Sequence, residues 1–377
     1  MKINDAKRIV FKFGTNVLRN DEGEISLSRI YAFIEEISKL HKQGKEIIII
    51  TSGAVGLGAK RLNADSKESL SVKQACAAVG QCQLMSIYED GFNKYSINTA
   101  QILLTEDDFS NRIKYLSLNN ALNTLLELRV IPVINQNDTV STAELSEAGN
   151  PLYGVSFSDN DKLSALVASK LDADLLVILS DINGLYDDNP KENPNAKLLS
   201  DIKEITPEIE SYAHSASKGG RGGMRTKLEA AKVVTHSGGY VKIANGKEPQ
   251  IIRRLFEGEN LGTTFYPAEQ LSQKRRWIAY ATNITGQISV NNGAKKAITE
   301  ENKSLLAIGI TKVNGIFTRG DVISILDEEN QEFARGIANY DSRDCKKIIG
   351  EHSDNIYDIL GHKNYDAVVT KDNIAIL

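Results

Sequence analysis

The run Ile9-Val10-Phe11-Lys12-Phe13-Gly14-Thr15 constrains the fold more than any other stretch of the chain, because it places a lysine inside a β-branched and aromatic segment. Apolar residues flank the charge on both sides, the pattern of a strand covered on both faces in a parallel sheet. Lys12 then falls near the strand's carboxyl end, the edge at which open α/β sheets hold their ligands. Taken alone, the run also fits a lysine whose stem covers a sheet edge. The rest of the chain has to decide between the two.

Beyond Thr15 the chain alternates helix and strand. Ser26 to Gly44 places Ile30, Phe33, Ile34, Ile37 and Leu40 on one helical face and stops at glycine. Glu46 to Ile50 is a nearly continuous isoleucine strand, and it opens into Thr51-Ser52-Gly53-Ala54-Val55-Gly56-Leu57-Gly58. Glycines at a strand-to-helix junction let a bound anion approach backbone N–H groups, although a plain glycine-rich turn has the same composition. Ser69 to Tyr95 reads as a long helix burying Cys76 and Cys82, Asn98 to Thr105 as a strand and Arg112 to Leu128 as a helix. The strand Val130 to Ile134 delivers Asn135-Gln136-Asn137-Asp138 to the same edge, as a polar pocket for a small zwitterion or as turn formers.

Thr139 to Phe157 has little periodicity and reads as a lid or a hairpin at a subunit contact. Phe157-Ser158-Asp159-Asn160-Asp161 opens a helix to Lys170; Ser158 and Asp161 have capping-box spacing, and Asn160 and Asp161 sit at its positive end. Ala173 to Leu179 is a buried strand ending on Ser180-Asp181, with Asn183-Gly184-Leu185-Tyr186 as the turn after it. The loop Lys218-Gly219-Gly220-Arg221-Gly222-Gly223-Met224-Arg225-Thr226-Lys227 combines flexible backbone with cations before a helix, as a phosphate cradle or a solvated basic loop.

Composition removes several classes of function. A formal charge of −4 argues against a protein devoted to holding nucleic acid. Three cysteines without a C-x-x-C spacing, and five histidines that form no cluster with them, fit a reducing cytoplasm without structural zinc, so no metal-ligating residue is assigned. Charged Lys2 and Asp5 run straight into the first strand, which leaves no room for a signal peptide, and the apolar runs are too short to cross a bilayer. The expected location is cytoplasmic.

Together, Val10 to Thr15, Ser52-Gly53-Ala54, Asn135-Gln136-Asn137-Asp138, Phe157 to Asp161, Gly184-Leu185-Tyr186 and Gly222 to Lys227 resemble the amino-acid kinase superfamily, and within it the branch acting on L-glutamate. The order and spacing of these motifs carry the likeness, over residues 1–265. Arg221 stands where the family carries a small residue. From Lys274 the texture changes to short strands, Gly286 to Ala294, Ser304 to Ile310 and Gly320 to Ile325, which resemble a PUA domain over residues 274–377. The expected fold class is therefore α/β, an open and mostly parallel sheet between helix layers, followed by a small all-β PUA pseudo-barrel.

The resemblance implies ATP-dependent phosphorylation of the γ-carboxylate of L-glutamate, with ATP and Mg²⁺ as cofactors, as the first step towards proline. Such a carboxylate is already ionised at neutral pH, so it needs cations around the moving phosphoryl group and no general base. Lys12 and Lys227 are the candidates, with Asp161 between them orienting both. Ser180, Asp181, Arg221, Gly222, Gly223, Met224, Arg225 and Thr226, with the two lysines, are expected at the nucleotide. Ser52, Gly53, Asn135, Asp138 and Asn160 are expected at the amino acid. The resemblance also implies L-proline as feedback inhibitor, a homo-oligomer and a γ-glutamyl phosphate reductase as partner. N-acetylglutamate or aspartate as substrate, or an RNA-binding protein, stay open as alternatives. From Lys274 onward cations and anions balance at about 14 each, so charge does not support RNA binding.

Overall fold

The computed structural model describes residues 3–67, 69–140, 160–190, 192–215, 223–268, 272–281 and 284–377. Described residues up to Ala268 form one compact unit and those from Ser272 onward a second. The predicted lid at 139–157 lies, from Ser141 on, outside the described residues. So do Ser158, Asp159, Arg221 and Gly222.

The first unit is built on an eight-stranded sheet: β1 (Arg8–Phe13), β2 (Glu46–Ile50), β3 (Thr99–Leu104), β4 (Ile131–Gln136), β5 (Leu175–Ser180), β6 (Asp201–Ile202), β7 (Tyr240–Asn245) and β8 (Thr263–Phe265), in the order β3-β4-β2-β1-β5-β7-β8-β6. From β3 to β7 every neighbouring pair is parallel, and β8 runs antiparallel to β7. Burial on both faces is why β2 and β5 read as continuous apolar runs and β1 as one interrupted within the sheet only by Lys12. Because β2 lies on one side of β1 and β5 on the other, the order reverses at β1. Lys12 therefore stands on the strand at the topological switch point.

Helices α1 (Leu27–Lys42), α2 (Ala54–Leu62), α3 (Leu70–Asn93), α4 (Arg112–Glu127), α5 (Asn160–Lys170) and α6 (Met224–Thr235) alternate with the strands much as the periodicity predicts. The apolar face of α1, including Ile30, Phe33, Ile34, Ile37 and Leu40, is buried in the same cluster as Phe11 and Phe13.

Two expectations about α2 and α3 are corrected. Only Gly53 stands at the junction, with φ of +102° as the residue before α2. Gly56 and Gly58 lie inside the helix, and a Cβ at Gly58 would come within 1.8 Å of the Cys76 carbonyl oxygen. A Cβ at Gly80 would meet the Ala54 carbonyl oxygen at the same distance. Gly58 and Gly80 let two helix backbones touch, so within the run Gly58 serves packing, and Gly53 is the glycine that stands at the strand-to-helix junction. Cys82 is exposed while Cys76 is buried. Six residues at about 100° each put them on different faces of the helix.

The second unit holds a five-stranded sheet in the order β10-β9-β11-β12-β13, from β9 (Gly286–Val290), β10 (Ile310–Gly315), β11 (Val322–Leu326), β12 (Glu332–Ile337) and β13 (Ile374–Ile376). Its pairs are antiparallel except β9 with β11. The strand expected from Ser304 to Ile310 is instead a single bridge, Leu305 to Val369, and a tight turn at Ala307–Gly309 before β10. Leu305 and Ala307 are buried there, so their apolar character reflects burial in a turn.

Candidate active site

The carboxyl ends of β1, β2, β4 and β5 meet the first turns of α5 and α6. Lys12, next to last in β1, is only 3 % exposed, and its ammonium lies 2.6 Å from Oδ1 of Asp161. Asp161 comes from the first turn of α5 and is wholly buried. Its Oδ2 takes the Lys227 ammonium at 2.9 Å and the Thr226 hydroxyl at 2.9 Å, both from the first turn of α6. One carboxylate thus holds two lysines from two separate elements. Burial alone would push the Asp161 carboxyl up, but the charges of Lys12 and then Lys227, with their hydrogen bonds, hold it well below the usual carboxylate range. Within this trio two cations face one anion. Gly14 keeps that edge open: a Cβ there would sit 3.9 Å from the Lys12 ammonium and 3.3 Å from the Leu179 carbonyl oxygen.

A second, neutral cluster adjoins the first through the chain itself, since Asn160 precedes Asp161. The Asn160 amide donates to the Thr51 carbonyl at 2.6 Å, to Ser52 Oγ at 2.9 Å and to Asn135 Oδ1 at 3.1 Å. The Asn135 amide in turn donates to Gln81 Oε1 of α3 at 2.9 Å. Thr51 is fixed by its N–H on the Ile134 carbonyl and by a hydroxyl contact of 2.9 Å with Tyr88. The ends of β2 and β4 and the start of α5 are therefore tied by amides, and Ser52 and Gly53 follow from that anchor. Asp138 stands half-buried in the turn after β4, where the Asn137 N–H bonds to the Leu104 carbonyl.

A third group lies past β5. Asp181 accepts from Asn16 at 2.9 Å and from the Ser180 hydroxyl at 3.2 Å. Burial raises its carboxyl, but the Asn16 amide, its own N–H, Ser180 and the charge of Lys227 outweigh that and hold it low. Asn245, at the end of β7, reaches Asn183 at 2.9 Å. Gly223 and Met224 mark the start of α6, whose first turn brings Thr226 and Lys227 to Asp161. Arg225 instead points along the exposed face of α6, 3.5 Å from Glu229.

Sequence reasoning missed three contributors, Gln81, Thr51 and Asn16. Gln81 shares a helical face with buried Leu84 and Tyr88, which is where a signal existed. Thr51 was overlooked beside Ser52, and Asn16 beside the Gly14 turn. The hydroxyl of Thr226, expected at the nucleotide, contacts Asp161. Among the described residues no group of three or more His, Cys, Asp or Glu could hold a metal ion.

Comparisons with known proteins identify the family. The model of the amino acid kinase family matches residues 7–245, and that of the PUA domain residues 286–360. Glutamate 5-kinase of Methanococcoides burtonii is 44 % identical over 377 residues, spanning 99 % of this chain and 98 % of its own. Glutamate 5-kinase of Caldanaerobacter subterraneus subsp. tengcongensis is 42 % identical over 373 residues, spanning 98 % of each. Among solved structures, carbamate kinase from Giardia lamblia bound to AMP-PNP superposes with a TM-score of 0.50 at 17 % identity, over 71 % of this chain and 100 % of that one.

Proposed function

The chain belongs to the amino acid kinase family and, within it, to the glutamate 5-kinases, and we infer from that premise and from the site that it transfers the terminal phosphoryl group of ATP to the γ-carboxylate of L-glutamate. The product is γ-glutamyl phosphate, at the start of the route to proline. The observation that carries the reading is the buried Asp161 carboxylate gripping the ammonium groups of Lys12 and Lys227.

Two anions meet in this reaction, and charge moves onto the oxygen that leaves with ADP. Lysines fixed in advance relieve that repulsion with no reorganisation at the moment of transfer. Asp161, held ionised, keeps both heads in place. The γ-carboxylate needs no base to make it a nucleophile. Ser180, Asp181 and the residues opening α6 line the end of the site given to the nucleotide, and the N–H groups of that helix end suit phosphate oxygens. Arg221 and Gly222 belong to the same assignment by sequence alone.

Magnesium fits the site as an ion carried in on the phosphates. The one carboxylate between the lysines is already taken by two cations, so the donors at hand suit the oxygens of a metal–nucleotide complex better than a bare ion. When bound, it would neutralise phosphate charge alongside Lys12 and Lys227.

At the other end, Asn160, Asn135 and Ser52 form the polar bed for the amino acid, with Gly53 giving close backbone approach and Asp138 the anionic partner for the α-ammonium. L-proline shares the α-carboxylate and cationic amine but has no γ-carboxylate, so it inhibits by filling that bed. An acyl phosphate is labile in water, which favours a γ-glutamyl phosphate reductase as the next partner. A homo-oligomer belongs to the same reading through the family resemblance.

A hydroxamate trap for acyl phosphates tests the reading. With Mg-ATP, L-glutamate should give hydroxamate far faster than aspartate or N-acetylglutamate. A preference for the acetylated acid would overturn the assignment.

A further inference from the structure

We propose a second ligand site, for a small organic carboxylate with an apolar body, in the cavity at the amino edge of the sheet where Lys242 is buried. The cavity is about 650 Å³ and lies against the first residues of β5 and β7, at the opposite edge from Lys12 and Asp161. Volumes of this size suit a small organic molecule. Its walls mix apolar and aromatic side chains, Leu175, Leu255, Phe256, Tyr240 and Tyr266, with the polar Asn4, Glu257, Glu259, Asn260 and Thr264, and the two tyrosines pack edge to face with ring centres 5.5 Å apart.

Lys242 is the one cation among the described residues of that wall. Lys242 is 2 % exposed, and its ammonium donates to a neutral partner, Thr264 Oγ1, at 2.7 Å. No carboxylate among the described residues comes within ion-pair distance of it. The acids around the cavity are already engaged. Glu257 pairs with Arg253 at 3.3 Å and Glu259 with Arg254 at 2.8 Å. Asp201 accepts from Tyr266 and from Ser200, and acts on Lys242 only across space.

A buried cation facing one hydroxyl is costly, and burial pushes this ammonium down to about 8. A carboxylate entering the cavity would supply the missing anion, while its carbon skeleton would lie on the tyrosines, Leu255 and Phe256. A single cation matches a single negative charge, which favours a monocarboxylate over a phosphate. Nothing in the phosphoryl-transfer site requires Lys242, so the pocket is independent of that chemistry.

The test uses the full chain with benzoate, its neutral isostere benzamide and inorganic phosphate as probes. Affinity is read by calorimetry, and Lys242 acylation by acetic anhydride is read by mass spectrometry. Benzoate should bind and should protect Lys242. Benzamide and phosphate should bind at least ~10-fold more weakly, the scale of one charge-assisted hydrogen bond. Lys242→Met should remove the benzoate preference without moving the KM for glutamate or ATP, and Lys242→Arg should keep it. Equal binding of benzoate and benzamide, loss of benzoate on adding glutamate or Mg-ATP, or unprotected Lys242 would each overturn the proposal. Should Lys242→Met fail to fold, the probe comparison and the acylation readout decide the matter on the wild-type chain.

Discussion

Asp161 receives the Lys12 ammonium on Oδ1 at 2.6 Å while Lys227 occupies Oδ2 at 2.9 Å, so neither lysine can shift without disturbing the other's partner. Both heads are almost wholly buried, where charges act strongly. The pair behaves as one preorganised dication held by one carboxylate.

Replacing either lysine by methionine keeps most of the side-chain volume and removes a charge. Turnover should fall by roughly 10² to 10³, the loss expected on removal of one transition-state donor. Steady-state kinetics on a variant whose fold is verified by circular dichroism checks it. Near-full turnover in either folded variant would remove that lysine from the account.

The amide cluster predicts a different signature. Asn160→Ala breaks contacts to Thr51, Ser52 and Asn135 together, and Asp138→Asn removes the proposed partner of the α-ammonium. Both should raise the KM for glutamate and the inhibition constant for proline by at least ~10-fold, with the KM for ATP little changed. Proline should compete with glutamate. Proline that lowers the maximal rate at unchanged KM would place its site elsewhere.

Lys170 supplies a pH dependence. It is buried over the Tyr115 ring with no hydrogen-bond partner among the described residues, and burial pushes its ammonium down to about 7 from 10.5. Between those values the unfolded chain binds the proton and the folded chain does not, so this group makes stability rise with pH. Below about 7 the fold carries the full cost of the buried charge. Lys170→Met should therefore stabilise the protein most near pH ~6, with the gain in Tm shrinking as pH rises towards ~10. A constant difference across that range would contradict the assignment.

All the proposed site residues precede Pro267, and described residues on either side of 269–271 fall into different compact units. A chain ending near Pro267 should fold and keep measurable kinase activity. A folded truncation without any activity would place part of the site, or an essential interface, after that point.

How far the sequence led depends on which contacts are local. Isoleucines at Ile47 to Ile50 and the run around Lys12 announce buried strands because burial on both faces leaves no alternation to misread. Lys12, Asp161 and Lys227 could be assembled on paper because each sits at an element end on the same sheet edge. The choice among tertiary partners could not be read. Gly58 and Gly80 resemble any flexible glycine until α2 and α3 are seen to touch through them. Gln81 looks like an ordinary helix residue until Asn135 is found against it, and nothing in the sequence announces that the Thr226 hydroxyl reaches Asp161.

The central claim is that the γ-carboxylate itself attacks phosphorus in this site. Glutamate carrying oxygen-18 in both γ-carboxylate oxygens, turned over with Mg-ATP and trapped with hydroxylamine, tests that most directly. Attack by the carboxylate places its oxygen in the bridge, and hydroxylamine then expels phosphate bearing that atom. The account predicts one oxygen-18 per phosphate, with release lost in step with turnover in Lys12→Met and Lys227→Met. Phosphate free of the label would mean that water, not glutamate, is the acceptor, and would contradict it.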